Sequence, residues 1–143
     1  MAEDLERVPL FSGLSQRQLR RLAKDFREHR VPAGVRLARQ GEMSGIGFFV
    51  IAEGTAAVIV DGTRVGTLRP GDHFGELGMI SKSERTATVE AVTPMRCHTI
   101  RFWDFRAFAK KNPDVTWKLL QHVAGLLVKE QTRHAANAGR ASP

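Results

Sequence analysis

The chain has 143 residues, 42% of them hydrophobic, and carries 22 Lys and Arg against 15 Asp and Glu for a net charge of +7. That length holds one domain with a sizeable core and excludes two, and the ordinary balance of apolar to charged residues excludes wholesale disorder. A single cysteine, Cys97, excludes an internal disulfide and any cysteine-based zinc site.

The charge is unevenly spread. Residues 1–40 carry nine basic and five acidic side chains, residues 41–100 five and seven, and residues 101–143 eight and three. The basic excess therefore lies at the two ends, where it reads as the solvated side of Arg-rich helices, while the middle is slightly acidic. Met1 to Glu6 is polar and does not read as a signal peptide. The most apolar stretch, Gly45 to Val60, has Glu53 and Gly54 at its centre and reads as two strands, since a membrane span needs about 20 predominantly apolar residues. A reducing cytoplasm is the expected location.

In chain order, Val8, Pro9, Leu10, Phe11 and Leu14 lead to Ser15, an N-cap with Gln18 at the capping-box spacing. Leu19, Leu22, Ala23 and Phe26 fall on one helical face, and this helix is expected to end near Glu28. Pro32-Ala33-Gly34 marks a turn. From Val35 the period becomes strand-like: Val35 to Arg39, a turn at Gln40-Gly41-Glu42, Ile46 to Ile51, a hairpin turn at Glu53-Gly54, then Thr55 to Val60. Asp61-Gly62 is a two-residue hairpin signal. Val65, Thr67 and Leu68 continue to the turn Pro70-Gly71-Asp72. Short strands between Gly-rich turns predict an antiparallel roll or barrel.

The stretch from Gly71 to Val92 carries the chemistry. Gly71, Gly75 and Gly78 allow backbone to come close to a ligand. Phe74-Gly75-Glu76-Leu77-Gly78 opens a short helical turn, whose N–H groups make an anion site. Arg85 adds a planar fork suited to phosphate. Glu76 cannot bind phosphate but accepts hydrogen bonds from hydroxyls. A phosphate end and a hydroxyl end in one pocket point to a nucleotide with its ribose. Beyond this stretch, Thr88 to Val92 and Met95 to Ile100 form two strands around Thr93-Pro94. Trp103, Phe105, Phe108 and Ala109 begin a helix, and Pro113 starts a second one with the apolar stripe Val115, Leu119, Val123, Leu126 and Leu127.

Phe74, Gly75, Glu76, Leu77, Ile80, Arg85, Thr86, Ala87, Thr88 and Val89 together resemble the phosphate-binding cassette of cyclic nucleotide-binding domains. Gly78 and Glu84 depart from the family pattern, standing where alanine and proline are usual. The resemblance covers nearly the whole chain. It implies a mainly β fold with flanking helices, an antiparallel jelly-roll-like β-roll, as a single domain over residues 1–143. Within it a helical N-terminus to about residue 30, a roll over 31–101, C-terminal helices over 102–134 and a frayed tail over 135–143 are expected. The implied ligand is cAMP, with cGMP second because Thr86 accompanies cGMP binding in some relatives. Arg85 with the N–H groups near Gly78 and Thr86 would hold the cyclic phosphate. Glu76 and Gly75 would take the ribose 2′-OH. Leu77, Val65 and Val89 would wall the pocket, and Leu126, Leu127 or Glu130 would cover the base.

Other readings carry less. His73 and Glu76 bring to mind a metal site, but His29, His98, His122 and His134 lack the spacing for further ligands, so no metal is expected and His73 reads as a turn residue. No nucleophile–base pattern stands out, so catalysis is not expected. No catalytic, channel or DNA-binding part is read after the last helix, so either occupancy is expected to reach a protein effector through that helix or the chain is a piece of a longer protein, the Met1 start favouring a complete small one. Nucleic acid is not the expected partner; the alternative reading is a degenerate roll that binds nucleic acid or an acidic partner through its basic helices.

Overall fold

Phe48-Phe49-Val50-Ile51 is apolar at every position, which suits a strand buried on both of its faces. The computed structural model, which describes residues 2–41, 47–75 and 86–141, places it so. The strands are β1 (Arg27–Val31), β2 (Arg36–Ala38), β3 (Phe48–Glu53), β4 (Ala56–Val60), β5 (Thr63–Leu68), β6 (His73–Phe74), β7 (Thr88–Ala91) and β8 (Met95–Ile100). They form two antiparallel sheets, β1-β8-β3-β6 and β2-β7-β4-β5. The helices are α1 (Ala2–Glu6), α2 (Gln16–Ala23), α3 (Phe102–Lys111) and α4 (Pro113–Ala141), with a 3-10 turn at Pro9–Phe11. This is the antiparallel roll with flanking helices that the sequence predicts. No helix among the described residues is long and apolar enough to cross a membrane.

The period-two alternation of β3 sorts its side chains into two cores. Phe48 and Val50 join a core with Leu5, Phe11, Leu19, Leu22, Phe105, Val115 and other residues of the helices. Phe49 and Ile51 face the second sheet and pack with Leu37, Ala56, Val89, Ala91, Met95 and Cys97. The order of layers is thus helices, first sheet, second sheet. Each of these four β3 side chains is at most 1% exposed, which contributes about 1.5–3 kcal/mol apiece. Cys97 is buried as expected, and desolvation pushes its thiol up to about 11.

The capping box at the start of α2 forms: the Gln18 N–H donates to Ser15 Oγ at 3.2 Å, and the Ser15 N–H to Gln18 Oε1 at 2.9 Å. The helix ends at Ala23, however, short of Glu28, and the chain enters β1 at Arg27. Four of the five β1 residues are exposed. An edge strand with little apolar alternation hides its identity in the sequence, and pairing to β8 decides it. At the other end, the tail expected to fray from Ala135 is helical to Ala141. That stretch, Ala135-Ala136-Asn137-Ala138-Gly139-Arg140-Ala141, is rich in alanine, the best helix former.

Glu53-Gly54 is a corner and not a hairpin turn, because β3 and β4 lie in different sheets. Gly54 adopts φ +88°, and a Cβ there would sit 2.3 Å from the Pro94 carbonyl oxygen. Asp61-Gly62 does form the expected hairpin, with both residues at positive φ and Val60 paired to Thr63. His73, read as a turn residue, belongs to β6 and pairs with Val50. Gly54→Ala should cost about 3 kcal/mol or more in urea unfolding, combining strain with a backbone clash. Gly62→Ala, which shares the positive φ but meets nothing within 4 Å, should cost about 1 kcal/mol. Equal losses would remove the corner's close approach as the cause.

Candidate cyclic nucleotide site

The cassette leaves one sheet and enters the other. Its upstream end is β6, an edge strand held by β3, with the Phe74 ring stacked on Phe49 at 4.7 Å and 8°. Ahead of β6 the Arg69–Asp72 turn is fastened twice. Arg69 N–H donates to Asp72 Oδ2 at 2.8 Å, and Asp72 N–H to the Arg69 carbonyl at 2.9 Å. The same turn joins β3, since Gly71 N–H donates to the Ile51 carbonyl and Ile51 N–H to the Asp72 carbonyl, both at 2.9 Å. Gly75, at φ +89°, then turns the chain in a conformation that side chains other than glycine's resist.

The downstream end is β7, paired on both edges, with Ala38 of β2 opposite Val89 and Val58 of β4 opposite the same residue. Val89 is buried in the core between the sheets, with half-buried Leu68 and Phe74 packed against that core. Thr86 is exposed just before the strand. Thr88 Oγ1 accepts from the Gln40 N–H at 3.0 Å. The Gln40 side chain in turn clasps the β4–β5 turn, donating to Asp61 Oδ1 at 2.9 Å and accepting from the Asp61 N–H at 2.8 Å. Gln40 thus ties three segments at this rim. The sequence shows it only as part of a Gln-Gly-Glu turn, and no local pattern marks its side chain for that task.

Of the expected site residues, Gly75, Thr86, Val65, Val89, Leu126, Leu127 and Glu130 are described; Glu76, Leu77, Gly78, Arg85 and Glu84 lie outside the described residues. Gly75 and Val89 sit at the two anchors of the cassette. Val65, expected in the pocket wall, lies on β5 and is 61% exposed. The reason is topological, since β5 is an edge strand and its Thr63–Gly66 portion is exposed on both faces. Leu126 and Leu127 are 52% and 59% exposed, and Glu130 is exposed.

The C-terminal stripe is therefore divided. Val115 and Leu119 are buried among the N-terminal helices, whereas Val123, Leu126 and Leu127 are exposed and lie outside both cores. Polar contacts hold the root of α4. Asp114 Oδ2 accepts from Gln18 Nε2 and from the Arg21 guanidinium, each at 2.8 Å, and Lys118 Nζ donates to Gln18 Oε1 at 2.8 Å. Hydrogen bonds from Gln18 first and Arg21 second hold the Asp114 carboxyl down at about 2.

The comparisons agree with this geometry. The family model described as cyclic nucleotide-binding domain matches residues 28–112. A cAMP-dependent protein kinase regulatory subunit of Schizosaccharomyces pombe is 38% identical over 96 residues, 66% of this chain and 23% of that protein. A cGMP-dependent protein kinase of Eimeria tenella is 35% identical over 89 residues, 62% of this chain and 9% of that protein. The N-terminal domain of a transcriptional regulator from Streptomyces coelicolor A3(2) superposes with a TM-score of 0.84 at 26% identity, covering 92% of this chain and 94% of that one. The chain belongs to the cyclic nucleotide-binding domain family. It spans less than a quarter of the length of the two kinase relatives.

The depressed Asp114 value has a direct check. Because the folded value lies below the ordinary 3.8, its contribution to folding is present above about pH 4 and lost as pH falls through about 2. NMR titration of the Asp114 carboxyl should give a midpoint about 2, and Gln18→Ala should raise it toward 3.8. An unchanged midpoint in that variant would assign the shift to Arg21 and the Val115 N–H.

Proposed function

We propose that the chain is a cAMP-responsive regulatory module that relays occupancy through α4 to a protein partner. The observation that carries this is the Phe74-to-Val89 run, whose ends are anchored in two different sheets of a roll of this family. A ligand bound there bridges the sheets, so its binding energy bears on their mutual packing. In this reading Arg85 pairs with the exocyclic oxygens of the cyclic phosphate, helped by the N–H groups near Gly78 and Thr86. Glu76 with the Gly75 backbone takes the ribose 2′-OH, and Leu77 walls the pocket beside Val89. The 38% identity to the cAMP-dependent protein kinase regulatory subunit supports cAMP. The exposed part of α4, with Leu126, Leu127 and Glu130, supplies the lid, and ligand that touches it favours the closed position. A regulatory role without catalysis and a cytoplasmic setting complete the reading.

Calorimetric titration with cAMP, cGMP and 2′-deoxy-cAMP tests the site. cAMP should bind most tightly, and 2′-deoxy-cAMP should lose more than a simple contact because Glu76 is left unpaired. Arg85→Ala should weaken cAMP binding by about 2–5 kcal/mol, with lysine restoring only part of it. Retention of parental affinity in Arg85→Ala would place the ligand elsewhere.

Amide exchange tests the relay. Added cAMP should slow exchange from Leu119 to Glu130 as well as around Gly75 to Thr86. A chain truncated before Leu126 should release ligand faster and bind it more weakly. If the truncated chain stays folded and binds as tightly as the full one, α4 is not the lid.

A further inference from the structure

The outward side of α4 is the side that a solvated helix makes polar, and here it is apolar. Val115 and Leu119 are buried and mark the side of α4 turned to the body of the domain. Between residues 115 and 137 the charged side chains are Lys118, Lys129, Glu130 and Arg133. At about 100° per residue, each of the four falls within about 80° of that buried direction. The opposite half carries no Lys, Arg, Asp or Glu over the same residues. It carries Trp117, Leu120, Leu127 and Val128, each more than half exposed. An amphipathic surface helix places its apolar stripe inward and its charges outward, so α4 has a second apolar side that its own domain does not cover.

The spacing narrows what covers that side. Trp117, Leu120, Ala124, Leu127, Gln131 and His134 follow one another in alternating steps of three and four, and all are exposed. Together they run along about 26 Å of helix. This is the 3.5-residue repeat of a helix-to-helix seam, which needs a partner helix of matching length. The other helices, α1, α2 and α3, have five, eight and ten residues against 29 in α4. Among the described elements only another α4 matches. Charge narrows it further. Nucleic acid needs cations at the contact, and the stripe has none. A lipid surface suits the apolar residues, but it leaves the Gln131 amide and the His134 ring without partners among acyl chains. A second copy meets neither obstacle. An uncharged patch facing itself brings no like charges together, and Gln131 against its own counterpart both donates and accepts. That pairing requires parallel helices, because any antiparallel overlap that covers Trp117 and Leu120 sets Gln131 against an apolar side chain.

We propose that α4 pairs in parallel with α4 of a second copy of this chain along the stripe from Trp117 to His134, giving a symmetric dimer. Val128 flanks the seam. Of the residues assigned to the lid only Leu127 falls in it, since Leu126 and Glu130 lie on the Val115 side of the helix. One face of α4 therefore serves its own roll and the other serves its counterpart. Displacing α4 in one copy disturbs the seam with the other, so the pair couples the two domains. The dimer does not depend on the cAMP reading, because nothing in the stripe belongs to the cassette.

The experiment is sedimentation velocity of the full chain over a range of concentrations, without nucleotide. The mass should rise to twice that of one chain. Leu120→Glu with Ala124→Glu, both at exposed helical positions, should weaken association by about tenfold or more, because like charges then face each other across the seam. Lys129→Glu, on the other side of the helix, should associate like the parent. Orientation is read separately, and without the glutamate variant: His134→Cys should form a disulfide between chains on mild oxidation, since parallel helices bring the two positions together. Buried Cys97 does not compete. Flotation with vesicles of phosphatidylcholine and phosphatidylglycerol is run on the same samples and should leave the chain unbound. A parent that stays monomeric at every concentration, or a glutamate variant that associates like the parent, overturns the dimer. Absence of the His134→Cys cross-link overturns the parallel seam, and a monomer that floats with the vesicles assigns the face to lipid instead.

Discussion

The burial of β3 on both faces is the constraint on which the other layers depend. A strand with Phe48 and Val50 on one side and Phe49 and Ile51 on the other needs two partners, one per face. The helices supply the first and the second sheet supplies the other. Removing either layer would expose two large side chains on the central strand and strand-mates such as Ile100 or Cys97 with them. The N-terminal helices are therefore part of the core and not an appendage to the roll.

That arrangement also decides where motion is cheap. The root of α4 is fixed by apolar burial of Val115 and Leu119 and by the Gln18, Arg21 and Lys118 contacts around Asp114. Beyond Leu119 the helix carries Leu120, Val123, Leu126, Leu127 and Val128 exposed. Burial of such a face is favourable by roughly 25 cal/mol per Å², so a surface brought against it gains free energy. In the proposed relay, a helix fixed at one end and apolar at the other reports a change at the roll without unfolding the core.

The electrostatics follow the same division. The helical ends hold the basic excess, and the middle of the chain is slightly acidic. On the face of the first sheet that packs on the helices, His98 is buried with its Nε2 2.7 Å from Asp4 Oδ2, fixing α1 to β8. Arg96, close to Glu53 and Glu28, has its already high value raised further, chiefly by the hydrogen bond to Glu53. These ion pairs are partly exposed and contribute modestly to stability. Their effect is to set which strand and helix edges face each other.

The sequence by itself determined what is contiguous along the chain. The capping box at Ser15, the Asp61-Gly62 hairpin, the apolar run of β3 and the restart at Pro113 are local, and each formed as the residues indicate. The cassette was legible for the same reason: its glycines, its carboxylate and its arginine lie within one short run. Tertiary structure decided the rest. Charged β1 is a strand only because β8 offers it a partner, and Glu53-Gly54 is a corner only because β3 and β4 belong to different sheets. Val65 is exposed because β5 falls at an edge, and Gln40 acquires its task because the β4–β5 turn and Thr88 come to it from distant parts of the chain. Such pairings depend on long-range burial and register, which no local propensity records.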